Sequence, residues 1–158
     1  MNLLFLPQDF LDLKARRDYI SGKHREAGAA CGEASEQGES FAGHDNAPFE
    51  AAMLDMNIRS RMLREVDNML NRAVSFSPEP NDGSVKFGRM VLVNDVTHAE
   101  STWYLVGSPW TQRTGEGHSQ SDPLPTSYMS PIGRVLLGPK IGDEVHFQKR
   151  TLKILEIH

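Results

Sequence analysis

Three carboxylates lie in a short segment that offers little else for a protein core. The segment Gly38–Glu50 reads GESFAGHDNAPFE and carries Glu39, Asp45 and Glu50 among small, flexible residues. Carboxylates accept hydrogen bonds and bind hard cations, but in a turn they also serve simply as solvated polar groups. His44, beside Asp45, would add metal or acid–base chemistry, although a single loop histidine is more often only solvated.

The remaining histidines and the single cysteine form no chemical pattern. His98, His118, His146 and His158 lack the spacing of metal ligands. One cysteine, Cys31, excludes an intrachain disulfide and favours a reducing compartment. Because Cys31 falls on a helical repeat, it is most simply a small core residue.

Composition and charge exclude several classes of protein. The 158 residues suit one or two small domains, and 39% hydrophobic with 24% charged residues is typical of a globular protein. A formal net charge of −4 argues against a generic nucleic-acid binder. The N-terminal run MNLLFLPQDF is too short for a signal peptide or a membrane span, so we expect a cytoplasmic protein that does not bind membranes.

The chain divides into two halves with different periodicity. Residues up to about 76 show helical spacing, and residues after about 83 show the alternation of strands. Two prolines and an Asp-Gly pair in the intervening SPEPNDG should end a helix. The prediction is a helical hairpin over residues 1–76 with its tip at 38–50, a linker at 77–82, and a sheet domain over 83–158.

The first half carries two series of seam positions with alternating steps of three and four, mostly apolar, as a coiled coil requires. The first series is Phe10, Leu13, Arg17, Ile20, His24, Ala27, Cys31 and Ala34, and the second is Phe49, Ala52, Met56, Arg59, Leu63, Val66, Leu70 and Ala73. Folded back antiparallel, the series pair Phe10 with Ala73, and His24 faces Arg59. Each arm would be about 40–45 Å long at ~1.5 Å per residue.

Three glycines weaken the first arm, each by about 1 kcal/mol relative to alanine: Gly22, Gly28 and Gly32. Periodicity alone also fits a plain two-helix hairpin packed on a domain. A long hairpin has little core of its own. An exposed tip at its end therefore indicates a functional role or a binding partner.

The second half predicts a sheet with one helix. The alternation in SVKFGRMVLVND predicts a strand with a bulge at Gly88. Its inward-facing residues would be Val85, Phe87, Met90 and Leu92. STWYLVG is a further strand, and residues 108–127 form a long loop. The last segment, DEVHFQKRTLKILEIH, predicts two strands around a turn near residues 149–150, and its inward positions are Val145, Phe147, Leu152, Ile154 and Ile157.

The predicted helix has signals at both ends. Ser130 is suited to cap it, Pro131 fits its first position, and Gly138 followed by Pro139 ends it. Its apolar face consists of Ile132, Val135 and Leu136.

Several segments together resemble the Gre family (GreA/GreB type) of bacterial transcript-cleavage factors. The resemblance is carried by NDGSVKFGRMVLVND, TWYLVG and SPIGRVLLGPKIGDEV in the second half, and by EASEQGES and DNAPFEAA on the two sides of the tip. It implies an α+β protein: an N-terminal antiparallel coiled-coil hairpin followed by an FKBP-like, antiparallel sheet domain with one helix.

The resemblance also implies a function. Such a protein binds bacterial RNA polymerase, passes its hairpin through the secondary channel, and stimulates cleavage of backtracked RNA. Its tip carboxylates, here Glu39 and Asp45, help hold a Mg²⁺ ion of the polymerase active site near the nascent RNA 3′ end. It is then a monomeric accessory factor with no cofactor of its own, and not an enzyme.

The tip departs from the family pattern, which keeps other functions open. Glu39 stands where the family has Asp, Asp45 where it has Glu, and residues 40–44 lengthen the loop between them. The alternative is a Gre-like regulator or inhibitor that occupies the same channel without promoting cleavage. A remote alternative is an FKBP-like prolyl isomerase or chaperone, which would need a proline pocket lined by more aromatic residues than the adjacent Trp103, Tyr104 and Trp110 supply.

Two surfaces follow from the resemblance. The loop before the predicted helix implies a polymerase contact at Met129, Ser130, Pro131 and Ile132, unless these residues simply pack under the long loop. A basic face on the arms would guide RNA, although interleaved acids fit an ordinary solvated face equally well. Its basic residues are Arg16, Arg17, Lys23, Arg25, Arg59, Arg61, Arg64 and Arg72.

Overall fold

The structure, a computed structural model, describes residues 1–39, 47–112 and 122–158, with side chains for all of these except residues 37–39. In the described part, no helix combines the length and the apolar character needed to cross a membrane. The elements are β1 (Leu3–Phe5), α1 (Pro7–Glu39), α2 (Ala47–Leu70), β2 (Ala73–Ser75), β3 (Met90–Asp95), β4 (Glu100–Gly107), β5 (Leu124–Ser127), α3 (Pro131–Leu136), β6 (Glu144–Phe147) and β7 (Arg150–Ile157).

The chain forms two compact units. The hairpin unit comprises Leu13–Arg72, and the sheet unit comprises Met1–Asp12 together with Ala73–His158. The α+β fold class is confirmed. The prediction that residues 1–76 all belong to the hairpin is wrong at both ends of that range, because the first twelve residues and residues 73–76 belong to the sheet unit.

Two polar contacts set the register of the hairpin. Arg17 Nε donates to Asp67 Oδ1 at 3.1 Å, and His24 Nε2 lies 2.8 Å from Ser60 Oγ. One heptad separates the two contacts on each helix, so they occupy equivalent seam positions. The helices therefore run antiparallel, and their register differs from the predicted one by a single residue.

The single-residue difference moves Arg59 off its predicted partner. His24 faces Ser60, and Arg59 Nε instead pairs with Asp55 Oδ2 of its own helix at 2.9 Å. The buried seam residues are Leu13, Ile20, Ala27 and Val66. Only these few seam positions are buried, because much of the α1 seam towards Glu39 consists of small or polar side chains.

Pairing of β1 with β2 explains why the N-terminus joins the sheet unit. The two strands are parallel, with Leu3 opposite Ala73 and Phe5 opposite Ser75. Phe5 is completely buried, and Leu6 packs with Phe87 and Leu105. The short N-terminal apolar run thus forms a strand, and Pro7 begins α1 immediately after it.

A buried carboxylate fastens the start of α1 to the sheet unit. Asp9 is 2% exposed and accepts hydrogen bonds from Ser108 Oγ at 2.6 Å and Thr111 Oγ1 at 2.8 Å. Ser108 Oγ also accepts from the backbone N–H of Leu6 at 2.8 Å. One hydroxyl therefore connects the end of β1 to the first turn of α1.

The main sheet has the strand order β5-β4-β3-β7-β6. All its pairings are antiparallel except that β5 runs parallel to β4. Residues 124–127, which the sequence pattern places in the long loop, form β5. A parallel neighbour requires a long connection, and residues 108–123 supply it.

The core of the sheet lies on the face covered by α3. Its buried residues are Val85, Val91, Val93, Val106, Leu136, Leu152, Ile154 and Ile157. The predicted inward positions of β6 and β7 are confirmed, because Val145 and Phe147 pack against this cluster. The turn between the two strands lies at residues 148–149, and Gln148 adopts a positive φ of 57°.

The predicted inward positions of β3 are wrong by one residue. Val91 and Val93 are buried, whereas Met90 is 38% exposed. Gly88 lies in a turn with φ of 83° that separates Val85 and Phe87 from the strand, so the alternation restarts in the opposite phase. The irregularity expected at Gly88 falls instead between Leu92 and Val93.

The predicted linker is tied to the sheet unit by charged hydrogen bonds. Lys86 Nζ lies 3.1 Å from Glu79 Oε2 and 2.9 Å from Asp82 Oδ2. Asp82 Oδ1 also accepts from the hydroxyl and the backbone N–H of Ser84. The Ser84 hydroxyl first, and then Lys86, hold the pKa of the Asp82 carboxyl well below its usual range.

We expect Gly28→Ala to stabilise the hairpin. A Cβ at residue 28 would meet no atom within 4 Å, and alanine lowers the cost of ordering a helix by about 0.5–1 kcal/mol. Urea unfolding followed by far-UV circular dichroism measures the change. Equal or lower stability of the variant would show that Gly28 has a structural role that its open surroundings do not reveal.

Candidate functional site

The end of the hairpin carries the first candidate site. Glu39 is the last residue of α1. Its side chain, the whole of Asp45 and the neighbouring His44 lie outside what the structure describes. The predicted pairing of the Glu39 and Asp45 carboxylates therefore stays a prediction, and so does their role at a metal.

Carboxylates accumulate at the end of α1 where a helix tolerates them least. Glu36 and Glu33 are exposed about one and two turns before Glu39, respectively, and the last turn has no basic residue. The C-terminus of a helix carries partial negative charge, so an acidic side chain there costs about 0.3–1 kcal/mol. This arrangement lowers helix stability and concentrates negative charge at the hairpin end, where a cation would offset it.

The second candidate site is the turn that begins α3. Ser130 caps the helix: its Oγ accepts from the Gly133 N–H at 3.0 Å and donates to the Ser127 carbonyl at 2.7 Å. The Ser127 Oγ accepts from the Met129 N–H at 3.1 Å. The predicted cap and the predicted Pro131 start of the helix are confirmed.

Gly133 allows this turn to close tightly. A Cβ at residue 133 would lie 2.0 Å from the Ser127 carbonyl oxygen, much closer than atoms can approach. Sequence reasoning did not identify Ser127 or Gly133. The sequence did offer one signal for Gly133: a glycine in the first turn of the helix that begins at Pro131. A buried glycine in a helix indicates that another part of the backbone approaches closely.

The structure brings the four predicted partner-binding residues together on this turn, but only partly exposes them. Pro131 is exposed, whereas Met129, Ser130 and Ile132 are half-buried, and Ile132 packs against the sheet core. Tyr128, just before them, belongs to the interior: its ring meets Phe87 edge-on at 5.5 Å.

The predicted basic face is partly neutralised. Arg17 pairs with Asp67, Lys23 with Glu26 at 2.7 Å, and Arg59 with Asp55. The hydrogen bonds that the three basic groups donate to these carboxylates raise the pKa of each basic group. These contacts favour a solvated, internally paired surface over a continuous path for RNA.

A cavity of about 280 Å³ lies on the sheet unit. Its lining residues are Ser108, Pro109, Trp110, Thr111, Pro125 and Ser127. Of the described residues that line it, Trp110 is the single aromatic one, and Trp103 and Tyr104 are not among them. Among the described residues, no three His, Cys, Asp or Glu side chains are grouped so that they could hold a metal ion.

Gly133→Ala should destabilise the sheet unit by about 1–3 kcal/mol, because the added methyl group overpacks a turn made of backbone. Loss of the cap by Ser130→Ala should cost about 1 kcal/mol. Urea unfolding monitored by tryptophan fluorescence gives both values. If the Gly133 variant were as stable as the wild type, the close approach described above would be wrong. Gly28→Ala is the matched control, because a Cβ at residue 28 would meet no atom within 4 Å.

Comparison with known proteins places this arrangement in a family. The family model for the C-terminal part of the GreA/GreB transcription elongation factors matches residues 79–158. The transcription elongation factor GreA of Ruegeria pomeroyi is 28% identical over 157 residues, covering 96% of this chain and 94% of that protein. GreA of Alkaliphilus oremlandii is 33% identical over 146 residues, covering 89% and 80%.

A solved structure spans the same length. GreA factor homolog 1 of Thermus thermophilus aligns with 100% of this chain and 99% of its own, at 22% identity and a TM-score of 0.45. The family assignment depends on the sequence matches, which include the strand β3, the strand β4 and the capped turn of α3. The chain belongs to the GreA/GreB family of transcription elongation factors.

Proposed function

We propose that the chain binds bacterial RNA polymerase through its secondary channel and stimulates the polymerase to cleave backtracked RNA. The observation that carries this proposal is the family match over the sheet unit. The hairpin supports it, since its long helix α1 ends in carboxylates that its own stability does not favour. The chain acts as an accessory factor in the cytoplasm, and the polymerase performs the chemistry.

Under this proposal Glu39 and Asp45 supply oxygen atoms to a Mg²⁺ ion that is shared with the polymerase. Carboxylate oxygens are the donors that this ion prefers. Such an ion stabilises negative charge on the oxygens of the phosphoryl group during hydrolysis. The part of this chain is to bring two carboxylates to the polymerase site and to orient a water molecule near the RNA 3′ end.

The negative charge of Glu33 and Glu36 would assist without touching the ion. Both side chains are exposed on the last turns of α1. Exposed charges act over about 8–10 Å at physiological salt, so they raise the local concentration of cations at the hairpin end. The unfavourable interaction with the helix terminus is relieved when a cation arrives.

The turn that begins α3 is the proposed contact with the polymerase surface. Met129, Ser130, Pro131 and Ile132 lie together there on a backbone fixed by the Ser127 and Ser130 hydrogen bonds. A turn that is rigid before binding loses little conformational entropy on association. Pro131 is the exposed residue of the group and therefore the one best placed to touch a partner.

A channel-binding regulator that does not promote cleavage is the second candidate. The feature that favours it is the longer tip, in which residues 40–44 separate Glu39 from Asp45. Catalysis requires reacting groups to be positioned closely, and a longer, glycine-containing loop holds two carboxylates less firmly.

The double variant Glu39→Ala, Asp45→Ala should lose transcript cleavage and keep polymerase binding. Stalled, backtracked elongation complexes would be mixed with each protein, and the RNA would be followed by gel electrophoresis. The matched control is Glu33→Ala, Glu36→Ala, which removes the same charge from the same helix end. We expect the wild type to cleave, the control to cleave more slowly because fewer cations gather at the hairpin end, and the tip variant not to cleave.

Two other outcomes would separate the candidates. If the wild type leaves the RNA intact but competes with an active GreA protein for the polymerase, the chain is a channel-binding regulator that does not promote cleavage. If it neither cleaves nor competes, both candidates are wrong.

Pro131→Asp should weaken polymerase binding about tenfold, as expected for the loss of one central contact. Aspartate in the first turn of a helix is favourable, so α3 should still form. Pro80→Asp, at another exposed proline of the sheet unit, should bind like the wild type. Fluorescence anisotropy of labelled protein with polymerase measures the affinities, and equal affinity of the Pro131 variant would place the contact elsewhere.

A further inference from the structure

The solvent-facing side of α3 is formed by two residues. Pro131 and Arg134 are exposed, and the remaining residues of the helix are half-buried or buried: Ile132, Gly133, Val135 and Leu136. Residues three apart on a helix are neighbours, with about 5–6 Å between their Cβ atoms. Arg134 therefore lies on the same surface as the proline that we place against the polymerase.

Arg134 differs from the other described arginines of the sheet unit, which have partners within the chain. Arg89 Nε donates to the Glu79 carbonyl at 2.9 Å. Arg150 Nε lies 3.7 Å from Asp95 Oδ2. In the part of the chain that the structure describes, the Arg134 guanidinium forms no ion pair and no hydrogen bond. Its five N–H groups are therefore available to a binding partner.

The carboxylates that follow α3 along the chain are directed elsewhere. Asp143 Oδ2 accepts from the backbone N–H of Lys140 at 2.8 Å. The helix packs against β6, whose Val145 and Phe147 face the core that α3 covers. Because side chains alternate along a strand, Glu144 lies on the opposite face of the sheet. These segments thus leave the cation on α3 without a neighbouring carboxylate, although the whole chain has a net charge of −4.

We propose that Arg134 is a second contact point beside the docking turn and that it binds a carboxylate on the polymerase surface. This inference rests on the proposed function, since it names the chemistry that the turn meets on its partner. A guanidinium presents paired N–H groups that match the two oxygens of an aspartate or glutamate side chain. The exposed Pro131 beside it favours a protein surface over a nucleic acid, because a nucleic-acid backbone offers phosphates but no apolar recess.

A second contact gives the docking a direction. A single apolar contact at Pro131 leaves the protein free to rotate about it, whereas an ion pair about 5–6 Å away selects one orientation. Charges at the rim of an interface also steer the approach of the two partners. A chain with a net charge of −4 is repelled by an acidic surface, so the local charge of Arg134 favours approach with this face.

Charge reversal at residue 134 tests the contact in the full chain. Fluorescence anisotropy with polymerase at low salt should show about tenfold weaker binding of Arg134→Glu than of the wild type. Arg134→Lys should lose less, because it keeps the charge but not the paired N–H groups. The loss in Arg134→Glu should shrink at high salt, which screens exposed charges. The matched control is Lys149→Glu, which makes the same change of charge at an exposed residue between β6 and β7.

The outcomes separate this inference from the proposed function. Wild-type affinity of Arg134→Glu at low salt would overturn the inference, and so would an equal loss in Lys149→Glu, since net charge alone would then explain the result. If Pro131→Asp binds weakly while Arg134→Glu binds normally, the docking turn is correct and only the role of Arg134 is wrong. If the wild type itself does not bind polymerase, the proposed function is wrong and the inference with it.

Carbodiimide coupling tests the chemistry of the partner. The reagent joins an amine to a carboxylate in contact with it, with loss of water, and it does not couple arginine. The Arg134→Lys variant should therefore form a new amide link to an aspartate or glutamate of the polymerase, in addition to the links that the wild-type lysines form. Mass spectrometry locates the link. Identical links in the variant and the wild type, in a complex shown to be assembled, would overturn the inference.

Discussion

A buried carboxylate joins the first turn of the first long helix to the residues that follow β4. Asp9 accepts hydrogen bonds from Ser108 and Thr111, and Ser108 also receives the Leu6 N–H. A carboxylate that is 2% exposed is stable only while such donors remain, since an unpaired buried charge is costly. The first turn of α1 is thereby part of the sheet unit, whereas the hairpin unit begins at Leu13.

Rigidity is distributed unevenly between the two candidate sites. The turn before α3 is tight, because Gly133 lets the Ser127 carbonyl approach and Ser130 caps the helix. The α1 helix instead carries Gly22, Gly28 and Gly32, and no packing requires any of them. The turn before α3 is therefore the more constrained of the two candidate sites.

Periodicity and capping chemistry predicted the elements that depend on local sequence. The antiparallel hairpin, the Ser130 cap, and the inward positions of β6 and β7 agree with the structure. Tertiary pairing decided the rest: the run before Pro7 became β1 because residues 73–75 pair with it, and a turn at Gly88 reversed the inward phase of β3. Of the candidate sites, the α3 turn could be located from sequence, but its dependence on Ser127 could not.

Under the proposed function, the hairpin end reaches the metal site of RNA polymerase. When Fe²⁺ replaces the active-site Mg²⁺ of the polymerase, it reduces added hydrogen peroxide to hydroxyl radicals, which cut any backbone close to the ion. Mass spectrometry of the bound chain then maps the cuts. We expect cuts confined to residues 38–50. Cuts only in the sheet unit, or an intact chain in a complex shown to be assembled, would contradict it.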